Sequence, residues 1–402
     1  MSLPVKEIPF QIKKSLQPYR MLFSKRQFKH FTNFVFGLIV SDRKNIQEIN
    51  DCFGKCNQSS LNRFFTTSKW NTGKINKMRL CQVRKHLDLG PGIFIIDPTM
   101  LHKTGREMEK ANFHYSGKTK RKEWGHLLVD NLFVDSFGNA FPVSADMYLR
   151  KVDADKTNPF KTVRQIALSQ LDYALKQKLP IWLVMLDAGL YADFVLQKIR
   201  QKGLKYIVGI RTTNNISISK KKRISVGKYL EKLDAKDFEE HEVDNETYFL
   251  HVKTVNTRGV GKEKILISFK QGDEKNTKIY TTNILDKTNK TLMHLLLKRW
   301  KVEGLHRDSK QHLGLEVYQV RKFSAIQKVV CAVLVAYTQI ILNKTQPILQ
   351  PFKRKLQTIG EGCRFLRLIA LKGWRWLKSK TANPIKLKKI LNLYVFVKNA
   401  KV

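Results

Sequence analysis

Residues 181–210, IWLVMLDAGLYADFVLQKIRQKGLKYIVGI, read as strand, turn, helix and strand. Ile181–Leu186 is a short continuous apolar run that ends at Asp187-Ala188-Gly189, as a buried strand does. The spacing predicts a helix from about Tyr191 to Lys202, and Tyr206–Ile210 is a second short apolar run. Upstream the same texture begins at Gly92. Ile93–Ile96 is a buried-strand run ending at Asp97, where Pro98 is expected to break it. His126–Val134 and Ala140–Tyr148 are apolar stretches joined by Asp135-Ser136-Phe137-Gly138, a hairpin turn. A helical stretch follows over Pro159–Gln177. Strand, hairpin, helix, strand, helix, strand is an α/β pattern with a mixed sheet.

Outward from this core the texture changes on both sides. Residues 212–279 hold a Lys-rich turn (Lys220, Lys221, Lys222, Arg223) and strand-like runs at Tyr248–Val255 and Lys264–Phe269, the marks of a β-rich insertion. Helical periodicity resumes at Leu285. Residues 1–90 are helical and basic: Phe23, Phe28, Phe31, Phe34 and Leu38 recur at helical spacing, and a second amphipathic stretch covers Asn45–Phe53. After Gly54, Ser59 or Ser60 is placed to cap a further helix through Phe65. Helix, turn, helix is an outline suited to DNA contact. The expected organisation is a helical DNA-binding region (1–90), a core in two parts (91–211 and 280–345), the β insertion between them (212–279), and a basic helical C-terminal region (346–402). That last region carries Trp374, Arg375, Trp376 and Lys378.

The chain has 75 Lys and Arg against 33 Asp and Glu, a formal charge of +42. Such an excess repels itself unless a polyanion neutralises it, and nucleic acid is the natural counterpart. The basic residues run along the whole chain instead of forming one amphipathic helix, which argues against a membrane surface as the partner. Five cysteines form no disulfide framework, and Cys52 and Cys56 have no second pair nearby to complete a zinc site. The N-terminus lacks a signal-peptide core. The longest apolar run, from Val329, reads as too short and too polar for a membrane span, hence as a buried helix. The expected setting is soluble and cytoplasmic, with the nucleoid.

Asp97 and Asp187 both stand at the carboxyl ends of buried runs, where open sheets build their ligand sites. Two carboxylates meeting there suit a hard divalent cation. Each also has a structural reading, since Asp before Pro favours a turn and Asp187 is placed to cap the helix that follows. The third element is LLKRWKVEGLHRDSK, residues 296–310. As one helix interrupted only by Gly304, it would bring Leu296, Arg299, Glu303 and Lys310 within an arc of roughly 60°. Glu303 would then hold metal while Arg299 and Lys310 grip phosphates. The bland alternative is an i,i+4 ladder, Arg299 to Glu303 to Arg307. His102 and Lys103 read as basic loop residues and His126 as structural.

Arg299-x3-Glu303-x6-Lys310, set in RWKVEGLHRDSKQHLGL, resembles the signature Tyr-x2-Arg-x3-Glu-x6-Lys of DDE transposases of prokaryotic insertion sequences. IIDPTMLHKTG around Asp97 and WLVMLDAGLYAD around Asp187 resemble that family's first and second Asp blocks, and the resemblance covers about residues 20–345. Two positions depart from it: Leu296 takes the place of the signature's Tyr, and Asp97 is followed by Pro98-Thr99 where a second acid is more usual. The resemblance implies a ribonuclease-H-like core with Asp97, Asp187 and Glu303 as catalytic carboxylates. It implies two Mg²⁺ or Mn²⁺ ions per site, and double-stranded DNA, both element ends and target, as substrate. Arg299 and Lys310 would position phosphates and Trp300 would either stack on an unpaired base or pack in the core. Pairing of two ends implies a homodimer on DNA. A non-catalytic DNA-binding derivative, or a nuclease on the same core, remains the alternative.

Overall fold

A computed structural model describes residue 5 and residues 8–53, 57–116, 119–219, 222–257, 259–344 and 357–372. The chain divides into a helical unit, built from residues 1–87, 102–111 and 307–402, and a sheet unit, built from residues 88–101 and 112–306. The Lys220–Lys221 pair, Cys56, Gly54 and the segment with Trp374, Arg375, Trp376 and Lys378 lie outside the described residues.

The sheet unit contains β1 (Gly92–His102, whose last residue falls in the helical unit), β2 (Asn112–Ser116), β3 (Arg121–Asp135), β4 (Ala140–Met147), β5 (Ile181–Leu186) and β6 (Lys205–Gly209). It continues with β7 (Asn215–Ser219), β8 (Lys222–Ser225), β9 (Glu239–Val243), β10 (Glu246–Thr257), β11 (Gly261–Lys270) and β12 (Lys278–Thr282). Among the described residues these form one sheet in the order β2-β3-β1-β5-β6-β12-β11-β10-β7-β8, with β4 on β3 and β9 on β10. β1, β5 and β6 run parallel, and β12, β11 and β10 follow antiparallel. The mixed α/β class expected from the sequence is therefore observed. The strands of residues 212–279 are continuous with the core sheet, because β11 pairs with β12 and β12 pairs with β6.

The parallel strands are apolar because both faces are covered. Phe94, Leu183, Val184, Met185 and Val208 are fully buried. Helix Val163–Lys176, opened by a Thr162–Gln165 capping box, and helix Asp193–Gln201 accompany them. The expected hairpin is present: Asp135 Oδ1 accepts from the amides of Phe137 and Asn139, and Gly138 takes φ +86°, a conformation that favours glycine.

The segments that carry Asp97 and Glu303 both differ from expectation. β1 does not stop at Asp97 but runs on to His102, straight through Pro98. Its pairing with β5 ends at Ile96↔Leu186, so on that flank Pro98 interrupts no ladder. The segment 296–310 is not one helix either. Helix Asn289–Lys298 gives way to helix Lys301–Leu313. Between them the amides of Arg299, Trp300, Val302 and Glu303 bond three residues back, a 3₁₀-type tightening. Arg299 keeps helical angles (φ −58°, ψ −35°), so the chain is overwound there and not interrupted.

In the helical unit, Ser24 and Gln27 form a capping box that opens helix Lys25–Val40. Phe31, Phe34 and Leu38 are buried as the periodicity predicts. Helix Gln58–Thr66 is capped by Asn57 and not by Ser59 or Ser60, because the Asn57 side chain reaches the Ser59 amide at 2.8 Å. The apolar run at Val329 belongs to a longer helix, Phe323–Lys344. Its stretch Phe323–Asn343 is long and apolar enough to cross a membrane by length and composition, contrary to the expectation from the shorter run, yet 89% of its most apolar window is buried inside the protein. Its polar groups find partners within this unit. Lys328 Nζ donates to the carbonyls of Phe65 (3.0 Å) and Ser68 (2.7 Å), and Thr338 Oγ1 accepts from buried Arg79 at 2.9 Å.

Candidate active site

The parallel register builds the site. Ile96 and Leu186 are the last paired residues of β1 and β5, so the next residue of each strand, Asp97 and Asp187, stand side by side as the sequence predicts. Asp187 does not cap helix Asp193–Gln201 as expected, since the N-cap position of that helix is Ala192, with no side-chain cap. Asp187 instead caps the short 3₁₀ turn Ala188–Leu190, its Oδ2 accepting from the Gly189 amide at 3.1 Å. That turn lies against β6 at Gly209, where a Cβ would come within 2.8 Å of the Ala188 nitrogen.

Asp97 is the most perturbed carboxyl of the group. Burial, with Asp187 and Asp130 nearby, pushes it up to about 7, although His306 and Arg299 pull the other way. Arg299 Nη1 lies 4.0 Å from Asp97 Oδ1, and its Nη2 lies 3.1 Å from Glu303 Oε1. The side chain of Arg299 is mostly buried. Burial opposes its charge, but Tyr280, Asp97 and Asp187 hold its pKa above the ordinary value. Its Nε has no hydrogen-bond partner. Glu303, in the first turn of helix Lys301–Leu313, has a side chain 44% exposed and therefore free to rotate. The first rung of the expected ladder is thus present, while Arg307 lies 3.6 Å from Asp308.

The remaining sequence candidates are distributed unevenly. Trp300 is 44% exposed, which removes the core reading, and the Arg299 guanidinium lies 5.4 Å from its ring centre. Lys310, two turns beyond Glu303, is counted with the helical unit and there stands 3.9 Å from Glu316. Leu296 is buried and packs as a core residue. His126 is buried in β3, in keeping with its structural reading. Lys103 is no free loop cation: it sits 3.3 Å from the Tyr318 ring centre and donates to the Tyr318 carbonyl at 3.1 Å.

Three side chains at the site escaped the sequence reading. The Tyr280 phenol, from β12, interacts with Arg299, so a phenol stands beside this guanidinium although position 296 carries none. His306 lies between Asp97 and Asp130, with Nδ1 3.7 Å from Asp97 Oδ2 and Nε2 2.6 Å from Asp130 Oδ1. An acid in the middle of the apolar run His126–Val134 was the visible signal for Asp130.

Among the described residues no three His, Cys, Asp or Glu side chains already converge as a metal cage. Arg299 instead takes up the charge of Asp97 and Glu303. The donor set nevertheless suits a hard cation: oxygen ligands, two of them at neighbouring strand ends, one of which burial holds well above the usual carboxylate range.

The family model for the DDE superfamily endonuclease matches residues 19–225, just over half the chain and inclusive of Asp97 and Asp187. A probable transposase for insertion sequence element IS701 from Microchaete diplosiphon is 27% identical over 218 residues. That match takes in 53% of this chain and 57% of the relative, so it spans little more than half the relative's length. A mixed sheet with paired acids at its parallel strand ends and a family match over both acids lead to one assignment: the chain belongs to the DDE superfamily endonucleases.

Proposed function

We propose that this protein is a DNA transposase that cuts at the ends of its element and joins them to target DNA. The observation that carries the reading is the register placing Asp97 beside Asp187, with the Asp97 carboxyl raised to about 7. The relative's description as a probable transposase and the charge of +42 support it. Asp97, Asp187 and Glu303 are the residues that would hold divalent metal, Mg²⁺ or Mn²⁺, two ions per site. Bound ions of this kind activate an attacking oxygen and stabilise a leaving one in an in-line displacement.

The chain's own side chains then have distinct tasks. Asp187 is held in place by its cap to Gly189, so its carboxylate is positioned before any ligand arrives. Glu303 must rotate away from Arg299 to join the two aspartates, and its exposure permits this. Arg299, released from Glu303, is left with an unpaired Nε and Nη2 to offer a phosphate. Trp300 offers an exposed ring to an unpaired base. Lys310 contacts the backbone further along. In the first step a water oxygen attacks phosphorus at the element end, the P–O3′ bond breaks, and a 3′-hydroxyl is freed with one proton lost from the water. In the second step that hydroxyl attacks a target phosphodiester and displaces another 3′ oxygen. The basic helical N-terminal region contacts the duplex, and two copies pair the two ends.

The Arg299–Glu303 pair favours one rival, a derivative that binds DNA without cutting it. Cleavage of the element's own end sequence in Mg²⁺ separates the two. Wild type should cut, whereas Asp187→Asn and Glu303→Ala should still bind DNA and lose at least about 100-fold in rate, each factor of ten being about 1.4 kcal/mol. Asn at position 187 can keep the cap to Gly189, so its loss of activity would not reflect a broken turn. Equal cutting by all three proteins would overturn the carboxylate assignment. Bound DNA with no cutting by wild type would leave the non-catalytic reading standing.

A further inference from the structure

Asp130 lies midway along β3 and is 3% exposed. Its neighbour Asn131 is fully occupied, donating to Ser144 at 2.8 Å and Gln170 at 3.0 Å while accepting from the Ser144 amide. A buried acid in such a strand is costly unless a partner meets it. His306 Nε2 does so at 2.6 Å. This short contact to Asp130 fixes the plane of the ring. The second ring nitrogen then faces Asp97 Oδ2 at 3.7 Å. That distance exceeds a direct hydrogen bond, so the link works through packing and charge or through one bridging water. His306 also stands three residues after Glu303 on the same helix. One imidazole therefore touches a strand carrying one proposed ligand and rides on the helix carrying another.

We infer that His306, oriented by Asp130, is a positioning residue that sets the direction of the Asp97 carboxylate and anchors the Glu303 turn to β1. The inference rests on reading Asp97 and Glu303 as metal ligands. Outer groups of this kind hold first ligands in the direction a metal needs, and their loss weakens metal affinity about 10–100-fold. A residue that merely compensates the burial of Asp130 would affect folding stability and leave metal affinity alone.

The test uses the full chain with Mn²⁺ alone as probe, measuring affinity by electron paramagnetic resonance and stability by thermal unfolding. His306→Gln keeps an N–H for Asp130 but presents no nitrogen to Asp97. It should unfold within a few degrees of wild type and bind Mn²⁺ at least about tenfold more weakly. His306→Asn, which places a nitrogen near the former Nδ1 and abandons Asp130, should recover part of that affinity while melting lower. Asp97→Ala is measured alongside. If Asp97→Ala weakens Mn²⁺ binding and His306→Gln does not, the inference is wrong and the proposed function survives. If Asp97→Ala binds Mn²⁺ like wild type, both fall. Weak binding by both variants, with the melting temperature of His306→Gln preserved, supports the positioning role.

Discussion

In the parallel part of the sheet, β5 and β6 are almost wholly buried, and so are residues 92–96 of β1; in the antiparallel part, β9 and β10 mix exposed Glu240, Glu242, Lys253 and Thr254 with buried Val243, Leu250 and Val255. The contrast follows from covering: strands enclosed on both faces are apolar throughout, whereas a sheet open on one face interleaves polar residues. It also explains where acids can gather. Where two parallel neighbours stop pairing in register, the residues that follow stand abreast, and here both are acids. Antiparallel hairpins bring strand starts next to strand ends and make no such shared mouth. Yet the antiparallel part is not a bystander, because β12 sends Tyr280 to Arg299.

The largest effect is expected at Asp97. Its carboxyl has an ordinary value of 3.8 and is raised to about 7 in the folded chain. Below about pH 4 both states keep the proton; from there to about pH 7 the unfolded chain releases it first, so stability falls as pH rises. Above pH 7 no further loss follows. In chelator, urea unfolding should show wild type losing up to a few kcal/mol over that window relative to Asp97→Asn, which has no such slope. An identical pH profile for the two proteins would mean that Asp97 is no more enclosed than an acid in the open part of the sheet.

The join between the two parts comes next. Gly209 pairs with Tyr280 across the β6–β12 boundary and lies against the turn held by Asp187. Gly209→Ala would drive its methyl into the Ala188 backbone, at an expected cost of about 1–3 kcal/mol in urea unfolding. Weaker Mn²⁺ binding should accompany that loss as Asp187 is displaced. Unchanged stability would show that the join is more pliable than its spacing implies. The smallest effect should come from Tyr280→Phe, which removes the polar group beside the Arg299 charge. Its loss should be about 1–2 kcal/mol in stability, with cleavage slowed in proportion to the freedom Arg299 gains. Cleavage at the wild-type rate would confine the antiparallel strands to a supporting role.

The legible parts of this molecule are those settled by local burial. IFII before Asp97 and WLVML before Asp187 announce strands because no solvent-facing residue interrupts them, and both acids could be named from that alone. Glu303 and Arg299 were visible as an i,i+4 pair. The overwound turn at Arg299–Glu303 was not, since its sequence is an ordinary helical one and the tightening coincides with Arg299 reaching its acidic partners. The contacts of Asp130 and Tyr280 depend on sheet order, β3 beside β1 and β12 beside β6. No periodicity in a single strand encodes which strand lies next to it. Pro98 misled for a related reason: a missing N–H ends a strand only where a neighbour would have used it.

Because β12 closes on β6, the strands after residue 212 serve as the seal on one flank of the parallel strands. Excising them to make a minimal core would bare the β6 flank as a raw row of amides and carbonyls beside Tyr206, Ile207 and Val208, a template for chain-to-chain pairing. Such a truncated protein should gather into aggregates and not behave as a smaller enzyme. The outer strands β7 and β8 stand at the far end of the sheet from that flank, whereas β12 is bound to the core it shields.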